Sequence, residues 1–217
     1  MKNKTANDDI EAWSLYPQHR WLFNKLDVAL RLGYDAAPVV VPVTQSGKYV
    51  IRPIYNLYGM GIWATVEELH PDLLFSDHAV GKPGTFWCEY FEGNHLSVDY
   101  RFKNGKFTPF DAMRGVVDDS NLSKFNMWVK INAPTFVSDL PNWLPKDVEK
   151  INVEWRGNKI IEIHLRTGND FMHDLAVGTV ATPVWHKNEN VDIKNEEPGR
   201  YDANGYVNIN RLGYKIN

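Results

Sequence analysis

The segment 151–166, Ile-Asn-Val-Glu-Trp-Arg-Gly-Asn-Lys-Ile-Ile-Glu-Ile-His-Leu-Arg, constrains the fold of this chain more than any other. Apolar and polar side chains alternate on both sides of Gly157-Asn158, and a period of two gives each β-strand one apolar and one polar face. The pattern predicts a β-hairpin whose polar face carries two carboxylates, an imidazole and a guanidinium, from Glu154, Glu162, His164 and Arg166. Such a set can hold a cation and orient an anion, and it is also typical of a solvated strand pair.

The length of the hairpin turn separates these two interpretations. A two-residue loop at Gly157-Asn158, which this dipeptide slightly favours, places Glu154 opposite Ile161 and puts Glu162 on the other face. A three-residue loop places Glu154 directly opposite Glu162. Like charges in that position destabilise the ladder unless something such as a divalent cation neutralises them. A cation site therefore requires the longer loop or a β-bulge.

Length and charge exclude several classes of protein. A chain of 217 residues is long enough for one ample core or for two small lobes that share an interface. Its 43% hydrophobic and 24% charged content is ordinary for a globular protein. The formal net charge of -3 provides no general attraction to nucleic acid or acidic membranes.

The cysteine content and the N-terminal sequence indicate the cellular compartment. The single cysteine, Cys88, excludes an internal disulfide framework and a cysteine-rich zinc site, and we interpret it as a small core residue. No apolar run approaches the length of a membrane span, and the first residues are too polar for a signal peptide. We therefore expect a cytoplasmic protein that does not bind membranes.

Local patterns predict an α+β protein with a larger antiparallel sheet in its second half. Residues 1–12 are expected to form a disordered polar start, and residues 181–217 an irregular extension. Helices are predicted at 17–33, 65–74 and 141–150, the second from a capping-box pattern that begins at Thr65. Strands are predicted at 38–43, 49–55, 85–91, 96–102, 106–117 and 127–131, in addition to the hairpin.

The order of these elements and motifs resembles the ATP-grasp superfamily, in which ATP lies between two α+β lobes. Ile151-Asn-Val-Glu-Trp155 is similar to the family strand that carries the first metal-binding acid. Ile161-Glu-Ile-His-Leu-Arg166 is similar to the following Glu-x-Asn-x-Arg strand. The resemblance implies that Glu154 and Glu162 hold Mg²⁺ with His164 as a further ligand, in a small lobe at 13–84 and a large lobe at 85–180.

Further motifs extend the resemblance to the nucleotide. The implied ATP-binding residues lie on the opening helix, on a strand that carries a second cation, in a phosphate-covering glycine loop and in a hinge that binds adenine. They are Lys25, Arg52, Gly59, Gly61, Glu89, Tyr90 and Phe91. Arg166 matches the arginine of the family motif and Arg114 stands where a further phosphate-directed arginine occurs, so these two are the implied catalytic residues.

The activity implied by the resemblance is ATP-dependent ligation, in which a carboxylate becomes an acyl phosphate that an amine attacks. Three features depart from the family. His164 replaces an asparagine although Mg²⁺ prefers oxygen ligands, and the loop at Gly59 and Gly61 is poorer in glycine than usual. We also expect no room before Asn24 for the N-terminal domain that commonly precedes the fold. We therefore expect a compact form whose unknown carboxylate and amine substrates include a peptide or a protein.

Two other functions stay open at this point. The departures also favour a catalytically reduced ATP-grasp protein that binds a nucleotide or a partner. The 8 tryptophans raise the possibility of a β protein that stacks sugars or single-stranded nucleic acid. Their scatter and the net negative charge argue against it, because stacking proteins for nucleic acid combine aromatic residues with a positive groove. His173 has no partner at a recognised metal spacing, so we interpret it as structural.

Overall fold

Two antiparallel β-sheets form the framework of the protein in the computed structural model, which describes residues 5–57, 64–72, 83–118, 121–168, 172–184 and 212–217. The first sheet has the strand order β1-β4-β2-β3, and its strands are β1 (Ala36–Pro38), β2 (Gly47–Pro53), β3 (Thr65–Leu69) and β4 (Thr85–Glu89). Helices α1 (Asp9–Leu15) and α2 (Lys25–Arg31) precede it. The predicted α+β class is confirmed.

The second sheet has seven strands in the order β11-β10-β7-β6-β5-β8-β9. They are β5 (His95–Lys103), β6 (Lys106–Asp118), β7 (Asn121–Lys130), β8 (Lys150–Arg156), β9 (Lys159–His164), β10 (Val180–Val184) and β11 (Gly213–Ile216). Strands β5 and β6 cover the strands predicted at 96–102 and 106–117 and form a meander with β7. The strand predicted at 85–91 does not join them, because β4 pairs with β1 and β2, and the chain passes between the sheets at residues 90–94.

The first residues are more ordered than their polarity predicts. Where a disordered start was expected through residue 12, α1 begins at Asp9, and the Asp8 side chain caps it by accepting a hydrogen bond from the Glu11 backbone N–H at 2.8 Å. Ala12 and Asp9 are buried. The helix is held by capping and by long-range charge pairing of Asp9, neither of which is visible in local hydrophobicity.

The helix predicted at 17–33 is divided into two. A 3₁₀ helix covers Pro17–Phe23, Asn24 then accepts a hydrogen bond from the Asp27 backbone N–H, and α2 follows as far as Arg31. Gly33, with a φ of 77°, ends the turn as predicted. Helix α2 and the 3₁₀ helix pack against β9, the edge strand of the second sheet.

Two predicted helices are wrong. Thr65, expected to cap a helix, begins β3, where β-branched Thr65 and Val66 pair with β2 and the Thr65 hydroxyl donates to Glu67 at 2.8 Å. Residues 73–82 lie outside the described part of the chain. Residues 141–149 form turns instead of a helix, and Pro141 and Pro145 lack the N–H that an interior helical position donates.

The second sheet separates an apolar face from a polar one. Leu96, Val98 and Val153 are buried on the first face, in the largest core cluster, which also includes residues of both helices. The alternate residues of the same strands supply the polar face. At the far edge, β10 and β11 replace the irregular extension that was predicted for 181–217, while residues 185–211 lie outside the description. Within the described ranges, no helix is long and apolar enough to cross a membrane.

Candidate active site

The hairpin of β8 and β9 brings two acids together by means of a bulge. Arg156 pairs with Lys159, so the turn has two residues, as the Gly-Asn dipeptide favours. The register then shifts at Ile161, and Glu154 pairs directly with Glu162. Because the bulge supplies one extra residue, both carboxylates lie on the polar face. The structural requirement of the cation-site hypothesis is therefore met.

Basic side chains surround this acid pair. Lys25 Nζ, from α2, lies 2.7 Å from Glu162 Oε1, and His95 Nε2, from β5, lies 3.2 Å from Glu154 Oε2. His164 Nε2 lies 3.5 Å from Glu162 Oε1 and 3.8 Å from Glu154 Oε1. Burial works to raise the pKa of Glu154, but the neighbouring His164 and His95 outweigh it and hold that pKa well below its ordinary value.

Asp9 orients His164 and Arg166 from the opposite side. Its buried carboxylate accepts two hydrogen bonds from Arg166, Nε to Oδ1 at 2.9 Å and Nη2 to Oδ2 at 3.0 Å. His164 Nδ1 lies 3.0 Å from Asp9 Oδ1, which turns Nε2 towards the acid pair. Burial lowers the pKa of His164, but the charges of Asp9 and Glu162 raise it to about 10, and Arg166 and His164 lower the pKa of Asp9.

The donor set fits a divalent cation. One carboxylate oxygen each from Glu154 and Glu162 and one His164 nitrogen lie within 4.8 Å of one another. His164 Nε2 is buried and has no hydrogen-bond partner among the described residues. Proteins usually bind Mg²⁺ through one or two carboxylates, and water molecules and substrate phosphates fill the other coordination positions. Mg²⁺ prefers oxygen to nitrogen, so Glu154 and Glu162 are the better ligands of the three.

Arg52 reaches the hairpin from the first sheet. Its Nη2 donates to the Ile161 carbonyl oxygen at 2.8 Å, and its guanidinium carbon lies 5.3 Å from the centre of the Phe86 ring. Arg52 Nε is buried without a hydrogen-bond partner in the part of the chain that is described. Arg52 and Lys25 therefore bring two predicted phosphate-binding cations to β9 from different elements.

The three hinge residues lie where the chain leaves the first sheet, and their side chains already have partners. Glu89 Oε1 accepts a hydrogen bond from the Asp35 backbone N–H at 3.0 Å, and the Tyr90 hydroxyl accepts one from Arg156 Nη2 at 3.3 Å. Phe91 packs against the first sheet's apolar cluster. An adenine at this hinge would therefore meet backbone groups and apolar surface more readily than these polar side chains.

Arg114 does not join the other predicted site residues. It is exposed on β6 and pairs in register with Leu96, whose side chain lies in the apolar core. Residues directly opposite each other share a sheet face, so Arg114 lies on the face opposite to Glu154 and Glu162. The motif match could not reveal this, because the face depends on the register of β6. Gly59 and Gly61 lie outside the described residues.

Sequence reasoning missed four contributors to the polar face and to the contacts around it. Asp9 lies 155 residues from His164 in the chain, and no local pattern links them. His95 and Asp99 could have been found, because they alternate with the buried Leu96 and Val98 of a predicted strand. His173, interpreted as structural from spacing alone, lies 2.8 Å from Asp99 through its Nε2.

Comparisons with known proteins place this fold. No protein-family model matches the chain, and no curated protein matches it. Among solved structures, the N5-carboxyaminoimidazole synthetase from Staphylococcus aureus has a TM-score of 0.54 at 10% identity, over 90% of this chain and 66% of that one. The corresponding ribonucleotide synthetase from Thermus thermophilus has a TM-score of 0.54 at 10% identity, over 94% and 69%.

A third solved structure, L-amino acid ligase from Bacillus licheniformis, has a TM-score of 0.52 at 10% identity, over 78% of this chain and 48% of that one. These neighbours are ATP-grasp ligases, so the fold resemblance drawn from the motifs is confirmed. At such identities the likeness concerns the fold alone. The chain spans only about half of the L-amino acid ligase, as that 48% coverage states.

Proposed function

We propose that the protein is an ATP-dependent ligase of the ATP-grasp type, which activates a carboxylate as an acyl phosphate for attack by an amine. The observation that carries the proposal is the pairing of Glu154 with Glu162, with Lys25 and the Asp9-bound Arg166 beside them. The fold neighbours include an L-amino acid ligase, which supports carbon–nitrogen bond formation as the reaction class.

The residue types suit phosphoryl transfer, in which positioning and positive charge dominate catalysis. In the first step a substrate carboxylate oxygen attacks the γ-phosphorus and ADP leaves. In the second, an amine nitrogen attacks the acyl carbon, expels phosphate and loses a proton. Lys25 and Arg52 would bind phosphate oxygens, and Arg166 would stabilise charge on the transferring group. Mg²⁺ bound by Glu154 and Glu162 would neutralise phosphate charge.

A second candidate is a catalytically reduced protein that binds a nucleotide or a partner. His164 favours it, because this residue places a nitrogen beside the acid pair where the family motif has an asparagine oxygen, and Mg²⁺ prefers oxygen ligands. This candidate predicts nucleotide binding without ADP release, or no nucleotide binding.

Thermal shift with ATP, with and without Mg²⁺, tests nucleotide binding, because a ligand of the folded state raises its stability by mass action. We expect a Mg²⁺-dependent increase in Tm for the wild type and for Glu68→Ala, a control in which an exposed acid of β3 is removed. Glu162→Ala should lose the increase. No shift in the wild type would refute the ligase and leave only the partner-binding form of the second candidate. A shift without ADP release over a broad set of carboxylates and amines would favour the second.

A further inference from the structure

A second acid pair lies on the polar face of the second sheet. Asp99 of β5 pairs directly with Asp111 of β6, and the two side chains are 0% and 1% exposed. Like charges directly opposite each other destabilise a ladder, and burial increases that cost. Nothing in the proposed ligase chemistry uses this pair, which we call the acid–histidine cluster together with His173.

Ligand atoms converge in the acid–histidine cluster. His173 Nε2 lies 2.8 Å from Asp99 Oδ2 and 3.5 Å from Asp111 Oδ2. One oxygen from each acid and one nitrogen of the histidine lie within 4.8 Å of one another. Two carboxylates and one imidazole, brought together from two strands and a later loop, form a donor set of the kind that proteins use to hold metal ions.

Asp111 provides a separate indication that a ligand belongs here. Lys130 Nζ lies 2.7 Å from Oδ1 and neutralises one charge of the pair. Within the described residues, the buried Oδ2 has no hydrogen-bond partner, and the His173 nitrogen lies 3.5 Å from it. A buried oxygen with unfilled lone pairs is costly, so a group that fills them would stabilise the fold.

Neighbouring groups hold the three donors in place. Asp99 Oδ1 accepts hydrogen bonds from Asn152 Nδ2 at 2.7 Å and from the Gly168 backbone N–H at 2.8 Å. Lys130 Nζ donates to the carbonyl oxygens of Met172 at 2.7 Å and His173 at 3.0 Å, which fixes the loop that carries the imidazole. Such outer contacts orient ligands in metal sites.

We propose that Asp99, Asp111 and His173 bind a divalent transition-metal ion, with Zn²⁺ as the best match to one imidazole and two carboxylates. The nitrogen donor disfavours Mg²⁺ and Ca²⁺, which take oxygen ligands. Asp99 is two strands from His164, about 10 Å at the usual strand spacing, so this ion is separate from one held by Glu154 and Glu162. The Lys130 charge makes binding weaker than at an all-cysteine structural zinc site.

Zn²⁺ titration by isothermal calorimetry tests the proposal on the nucleotide-free full chain. We expect His173→Gln to weaken one Zn²⁺ site at least about tenfold, since even losing an outer contact has effects of that order. This variant keeps the Asp111–Lys130 pair, and its side chain is 23% exposed, so it should fold. Glu162→Gln is the matched control, and its titration should retain this site. Co²⁺ should give visible absorption bands in the wild type and Glu162→Gln, and these bands should be weakened in His173→Gln.

Equal Zn²⁺ affinity in the wild type and His173→Gln would overturn the proposal and leave the acid–histidine cluster as a self-contained ion network. Loss of all Zn²⁺ binding in Glu162→Gln would overturn it too, by assigning that binding to the other acid pair. If the thermal melt shows that His173→Gln is unfolded, Asp111→Asn decides by the same Co²⁺ bands. No nucleotide is present, so the result is independent of the proposed ligase activity.

Discussion

The two acid pairs on the polar face differ in how open they are. The Glu154 and Glu162 side chains are 26% and 14% exposed, whereas Asp99 and Asp111 are 0% and 1% exposed. Glutamate carries one more methylene than aspartate, so its carboxylate extends farther from the strand. The first pair is therefore partly accessible to a ligand from solvent, while the second is closed off from it.

The two pairs also differ in where their partners come from. Lys25, which contacts Glu162, lies on α2. Asp9, which orients His164, lies on α1. Asp99 is held by Asn152 of an adjacent strand and by the Gly168 backbone.

The largest expected effect is on stability at the buried pair. Asp99→Asn should lower the free energy of unfolding by about 4 kcal/mol, because breaking a buried, hydrogen-bonded charge network leaves its partners uncompensated. Urea denaturation followed by tryptophan fluorescence measures this. The control Asp139→Asn removes an exposed acid and should stay within about 0.5 kcal/mol of the wild type. A loss below about 1 kcal/mol at Asp99 would contradict the distinction between the pairs.

Asp9→Asn should combine a stability loss with a binding loss. We expect the free energy of unfolding to fall by about 3 kcal/mol. This is at the low end for a buried ion pair, because the Arg166 side chain is 18% exposed. The Mg²⁺-dependent thermal shift with ATP should also disappear, since His164 and Arg166 lose the group that orients them. Asp8→Asn is the matched control because asparagine caps a helix equally well. An ATP shift that survives in Asp9→Asn, or one lost in Asp99→Asn, would break the comparison.

Gly168→Ala should affect only the buried pair. An added Cβ would lie 2.6 Å from Asn152 Nδ2, which must then move away from Asp99. The free energy of unfolding should fall by about 1–2 kcal/mol, which is typical of overpacking. The thermal shift with ATP and Mg²⁺ should be unchanged. In Gly47→Ala the nearest atom would be 3.8 Å away, so that variant should be as stable as the wild type. Equal stability of the two variants would show that Asn152 can relax freely.

The smallest effect is expected at Arg114. Arg114→Ala should leave the thermal shift with ATP and Mg²⁺ at the wild-type value, because this side chain lies on the other face of the sheet. Arg166→Ala should lose the shift in the same assay. A reduced shift in Arg114→Ala would show that this arginine reaches the nucleotide despite its position.

Strong periodicity made strands β5, β6, β8 and β9 of the second sheet predictable from sequence. The alternation in 151–166 and the apolar runs of β5 and β6 identify strands whose local and tertiary preferences agree. Thr65 fails as a helix signal because its segment has a pairing partner in β2, which sequence spacing does not reveal. Tertiary pairing outweighs a local capping pattern of only four residues.

The candidate site was only partly predictable. Glu154, Glu162, Lys25 and Arg52 come together as the motifs imply, because each motif fixes a residue type on one element. The role of Asp9 could not be predicted from sequence, because it depends on where α1 packs. His173 was missed for a related reason: its partners lie on β5 and β6, so no ligand spacing along the chain connects them.

The bulge at Ile161 makes a point substitution and a deletion at this position act differently on the site. Every amino acid brings a backbone carbonyl, so no point substitution at this position removes the acceptor that Arg52 uses. An in-frame loss of its codon would leave Trp155 opposite Ile160 and Glu154 opposite Glu162 in an unbroken ladder. Such a deletion would keep the pairing of Glu154 with Glu162 and would remove the carbonyl to which Arg52 donates. These two parts of the site can therefore be lost or retained independently.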